Sequence, residues 1–143
     1  MNVKNFNPPR AAAHLLGVAV IVAVFLIVFG KLSAKTGVSS IDGGIALVDP
    51  SGSALEIIYA DVTELALISL PETYGFCIEG ASEKGYRYGL WENEEWGKYR
   101  LCVKEDMKKA IKVRQKDQIL IFNYEGNKTT ESFFEALRKK CGE

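Results

Sequence analysis

Histidine is almost missing from this chain: the one in 143 residues, His14, lies in an apolar run near the N-terminus. Elsewhere no imidazole is on hand to act as a general base or to ligate a metal, and His14 has no carboxylate, Cys or second His nearby. Nucleophile motifs such as Gly-x-Ser-x-Gly and Gly-rich phosphate loops are absent too. These absences argue against an enzyme, and neither cofactor nor metal is expected. Cysteine is scarce. Cys77, Cys102 and Cys141 show no Cys-x-x-Cys spacing, and three cannot pair completely within one chain. They read as one or two strand thiols and a tail thiol, in a reducing compartment or simply unpaired. An excess of one charge sign is also lacking, since 18 Lys and Arg balance 18 Asp and Glu. Net charge therefore offers no basic field for nucleic acid.

Charge is missing locally as well. Residues 11–30, AAAHLLGVAVIVAVFLIVFG, contain no Asp, Glu, Lys or Arg and are bracketed by Arg10 and Lys31. A helix of this length spans about 30 Å, the thickness of a bilayer's hydrocarbon core. The apolar core exceeds that of a cleavable signal peptide, and Leu32-Ser33-Ala34 is a poor cleavage site. An uncleaved single-pass membrane anchor is expected, with residues 1–10 as its flank. Lys4 and Arg10 on one side nearly balance Lys31 and Lys35 on the other, so charge barely decides the orientation. The expectation is a cytoplasmic domain at the cell membrane.

Residues 31–44 are small, polar and rich in Gly and Ser, the composition of a flexible tether. From residue 45 on, short strand-like runs alternate with turn residues. Residues 45–48 end at Asp49-Pro50-Ser51-Gly52, a good turn sequence. Residues 55–59 follow, then 62–68, whose apolar residues fall on both faces and suggest an interior strand. LPETYG at residues 70–75 looks like the sortase signal LPxTG, but Tyr74 separates Thr73 from Gly75 and no apolar span follows. Its Pro and Gly mark a strand connection instead.

Tyr86, Tyr88, Trp91, Trp96 and Tyr99 flank the polar tip Glu92-Asn93-Glu94-Glu95 as in a hairpin. Arg87 and Arg100 among these aromatics suggest base stacking, but the acidic tip would repel phosphate. Core packing and cross-strand pairing are the simpler reading. Beyond it Ile111 and Val113 are expected to face inward and Lys112, Arg114 and Lys116 outward, and with Lys104, Lys108 and Lys109 these make a local basic face. Such a face near a bilayer could rest on anionic lipid. It could equally be a solvated hairpin whose Lys residues blunt an edge. The chain closes with a helix for which Thr129 or Thr130 is the expected N-cap, Glu131 lies in the first turn, and Arg138, Lys139 and Lys140 precede Gly142.

From about residue 56 to residue 140 the chain resembles the bacterial pleckstrin-homology (PH) domains that follow N-terminal transmembrane segments. The residues that carry the likeness are IIYADVTELAL, LPETYG, GLWENEEWGKYRLCV and AIKVRQKDQILIFNYEGNKTTESFFEALRKK. The resemblance implies a mainly β fold: a bent antiparallel barrel of about seven strands over residues 45–143, capped by the C-terminal helix. It also implies a binding or assembly module with no defined ligand. Specific phosphoinositide recognition is not expected, because the first strands carry Glu56 and Asp61 where lipid readers carry Lys and Arg. The function expected is a membrane-tethered, non-catalytic scaffold for a protein partner or for self-assembly through a sheet edge. Peripheral sensing of anionic lipid through the basic face over residues 104–116 is the alternative.

Overall fold

The computed structural model describes residues 37–142. The expected membrane anchor at residues 11–30 and its flank lie outside the described residues, among which no helix is long and apolar enough to cross a membrane.

The described chain is mainly β with one C-terminal helix. Its elements are β1 (Gly37–Ile41), β2 (Gly44–Val48), β3 (Ala54–Ile58), a single 3-10 turn (Tyr59–Asp61), β4 (Val62–Ser69), β5 (Phe76–Glu83), β6 (Tyr86–Asn93), β7 (Gly97–Lys104), β8 (Lys109–Gln115), β9 (Gln118–Phe122) and α1 (Asn127–Cys141). Nine strands form two sheets, β1-β2-β3 and β4-β8-β9-β7-β6-β5. This differs from the expected seven-stranded antiparallel barrel in three ways. Strand number is higher, β7 and β9 pair in parallel, and no ladder joins β4 to β5 to close the larger sheet.

The extra strand comes from the segment read as a tether. Asp42 and Gly43 form a two-residue turn that sets Ile41 opposite Gly44 and lets Gly37–Ile41 pair with β2 along its whole length. Gly43 takes φ 69°, which such a turn requires and which glycine adopts without steric cost. The parallel pair has a packing cause. The run Ile119-Leu120-Ile121-Phe122 is buried throughout, so it needs cover on both faces and inserts between β7 and β8. Asn123 continues that pairing with its side chain: Oδ1 accepts from Lys104 N–H at 2.8 Å, and Nδ2 donates to Lys104 C=O at 3.1 Å.

Two cores result, one on each face of the larger sheet. On the first, Cys102, Ile111, Val113, Leu120 and Phe122 pack against Ile45, Leu47, Leu55 and Ile57 of the smaller sheet and Leu137 of α1. On the second, Trp91, Tyr99, Leu101, Val103, Ile119 and Ile121 gather with Ile68, Leu70, Tyr74, Cys77 and Trp96. Ile68 and Cys77 come from opposite edges of the sheet and share this cluster with central Ile121, so the sheet coils strongly around it. LPETYG spans the coil as a strand connection. Leu70 N–H donates to Lys108 C=O, and Tyr74 C=O accepts from the buried Tyr99 hydroxyl at 2.5 Å. A side chain at Gly75 would stand 2.2 Å from Glu92 O, which is why glycine sits there. β4 is thus an edge strand, not an interior one, and its two apolar faces are explained by the coil.

α1 begins earlier than expected. Gly126 occupies the N-cap, and Thr130 is fully buried within the first turns, its hydroxyl accepting from Tyr124 N–H at 3.0 Å and donating to Gly126 C=O at 2.8 Å. The far end follows expectation, with Gly142 in the left-handed region donating to Arg138 C=O after three basic residues.

Candidate functional site

The six basic residues singled out from the sequence do not form one face: Lys109 lies on the side of β8 that carries Ile111 and Val113 and meets α1, Lys112 and Arg114 lie on the other, and carboxylates reach nearly all of the six. Lys112 and Arg114 share Glu64, at 2.7 and 3.0 Å. Lys116 meets Asp61 at 2.8 Å, Lys104 meets Asp106 at 3.2 Å, and Lys109 pairs with Glu131. Lys108 has no carboxylate within bridging distance among the described residues. Lys112 and Arg114 do leave the sheet opposite Ile111 and Val113, but that face carries the second core. The Lys112 side chain is only 14% exposed and lies 6.0 Å from the Trp96 ring centroid. Lys116 belongs to the β8–β9 turn, with φ 49°, and not to the strand. The two cations beside Glu64, through hydrogen bonds from Lys112 and then Arg114, hold its carboxyl below the usual range.

A second surface has the opposite character. Phe76 and Ile78 are the large apolar side chains left exposed among the described residues, at 71% and 40%, and both lie on β5. β5 pairs only with β6, so its outer edge is free over eight residues. It carries no Lys, Arg or Pro, and its only charges are the carboxylates of Glu79 and Glu83. A bulge at Ile78 and a left-handed φ at Gly80 bend it. Beside Phe76, a cleft of about 710 Å³ between LPETYG and the β6–β7 turn presents Glu72, Glu92, Glu94 and Glu95.

The aromatics take structural roles. Trp91 and Tyr99 are cross-strand partners, Trp96 meets Tyr99 edge to face at 5.2 Å, and Arg87 lies 4.3 Å over Tyr74 while paired with Glu105 at 2.5 Å. Burial pushes the Tyr99 hydroxyl and the Cys102 thiol each up to about 12. Neither group ionises at neutral pH. No cluster of three or more His, Cys, Asp or Glu placed to hold a metal ion occurs among the described residues.

Sequence reasoning missed the β5 edge, because FCIEGASE mixes apolar, acidic and small residues and its place at the rim is set by the assembled sheet. It also missed Gln115, whose amide bridges the two sheets. Compared with protein-family models, curated proteins and solved structures, the chain matches none.

Proposed function

We propose that this chain is a non-catalytic interaction module held at a membrane by residues 11–30, and that it assembles with further copies of itself through the free edge of β5. The observation that carries this reading is the coincidence of Phe76 and Ile78 with an eight-residue unpaired edge. An antiparallel pairing of two β5 strands about a two-fold axis near Ile78 sets Phe76 of one copy opposite Gly80 of the other, where no side chain obstructs it. Glu83 then falls beyond the overlap. So small an interface is of the transient class. The PH-like reading draws support from two sheets and a C-terminal helix sharing one core. The parallel β7–β9 pairing departs from it.

The lipid alternative is weakened by the ion pairs that quench five of the six basic residues, and by the four carboxylates beside Phe76, which would repel an anionic bilayer. The test is sedimentation velocity of the full chain in a neutral detergent, for wild type and the Phe76→Ser/Ile78→Ser double variant. Wild type is expected to gain mass with concentration and the variant to stay at the anchored-monomer value. Equal behaviour of the two would remove β5 from the reading.

A further inference from the structure

A groove of about 800 Å³ runs between the free edge of β3 and the β7–β9 face of the larger sheet. β3 bonds to β2 through its odd-numbered residues: Asp49 N–H to Ser53 C=O and Tyr59 N–H to Gly43 C=O bracket the pairs Leu47–Leu55 and Ile45–Ile57. Peptide groups alternate along a strand, so those of Ala54, Glu56 and Ile58 point into the groove. At one end this edge is already engaged. Gln115 Oε1 accepts from Ile58 N–H at 3.1 Å and Gln115 Nε2 donates to Glu56 C=O at 2.6 Å. One side-chain amide thereby makes the two bonds that a residue of an added parallel strand would make. The equivalent position two residues upstream, Ala54 C=O with Glu56 N–H, has no protein partner among the described residues.

We infer that this groove takes an extended, Lys- or Arg-bearing peptide segment of a partner protein, which adds to the β3 edge and continues the ladder that the Gln115 amide begins. The charge of the groove selects the occupant. Glu56, Glu79 and Asp117 line it without ion pairs among the described residues, against the single unpaired cation Arg100, because Lys116 is held by Asp61. A cationic side chain alternating along the incoming strand meets those carboxylates, while its backbone supplies the ladder bonds. Electrostatic complementarity of this kind sets specificity, and main-chain bonds supply affinity.

The β3 edge differs from the β5 edge, and although Glu79 of β5 lines the groove, neither Phe76 nor Ile78 does, so the two assignments are tested by different variants. The experiment uses the full chain in neutral detergent and fluorescence anisotropy of a labelled, end-blocked hexapeptide alternating lysine and valine. Its comparators are the same peptide N-methylated at alternate residues and a glutamate–valine peptide. The lysine peptide is expected to bind, the N-methylated one to lose about tenfold or more in affinity, and the glutamate peptide not to bind. Glu56→Gln/Asp117→Asn is expected to weaken binding about fivefold or more, and Phe76→Ser/Ile78→Ser to leave it unchanged. Equal binding of the methylated peptide would mean charge adsorption alone and overturn the inference. So would equal binding of the glutamate peptide, no binding at all, or loss of binding as protein concentration rises, which would mean that a second copy fills the groove.

Discussion

β9 and β5 belong to the same sheet, β9 in its interior between β8 and β7 and β5 at one edge. β9 has five residues and buries four of them, whereas β5 has eight and buries none fully. QILIF finds cover on both faces because it inserts between β7 and β8, with the smaller sheet and α1 over one side and the coiled strands over the other. FCIEGASE mixes apolar, acidic and small residues, pairs on one side only and leaves its largest side chain in solvent. The difference separates two tasks: the centre holds the fold together, and the rim is available for contact.

Substitutions can sharpen that contrast. Removing the buried Phe122 ring, which is 1% exposed, is expected to cost about 3–5 kcal/mol, while Phe76→Ala should change stability by no more than about 0.5 kcal/mol. Chemical denaturation of both variants measures the gap, and comparable losses would abolish the distinction. Tyr99→Phe leaves Tyr74 C=O without its donor at 2.5 Å, for a loss of about 1–2 kcal/mol by the same measurement. Gln115→Ala removes both bonds between the sheets and is expected to cost about 1 kcal/mol, less because part of the site is open to water.

The smallest effect depends on pH. Glu64 ionises more readily in the folded chain than in the unfolded one, so the folded state binds fewer protons there and gains stability above the ordinary carboxylate range. That gain is lost as pH falls through the lowered folded value. The side chain is 39% exposed, and screening limits the gain to less than about 1 kcal/mol. Denaturation midpoints of wild type and Glu64→Gln should differ at neutral pH and converge in acid. A gap that persists in acid would mean that the pairing with Lys112 and Arg114 is not its source.

Local features were legible in the sequence, and long-range ones were not. The turn at Asp49-Pro50-Ser51-Gly52 could be read because Pro and Gly act on their own neighbours. There Asp49 Oδ1 accepts from the N–H groups of Ser51 and Ser53, at 2.9 and 3.0 Å. The hairpin between β6 and β7 and the end of α1 at Gly142 were readable for the same reason. β1 was missed although Asp42-Gly43 is a strong hairpin signal, because the Gly and Ser around it were read as a tether. The insertion of β9 was hidden, since nothing in QILIF names the strands on either side. The basic face looked free because Glu64, which neutralises Lys112 and Arg114, lies about 50 residues away in the chain. Exposure of Phe76 depends on β5 being an edge, which only the assembled sheet order decides.

The most direct test of the β5 edge is hydrogen exchange of the full chain, followed by mass spectrometry at low and high protein concentration. Pairing between copies predicts that amides within Phe76–Glu83 become more protected as concentration rises, while peptides from β9, already protected, do not change. No concentration dependence across β5, or protection that rises elsewhere and not there, would contradict assembly through this edge.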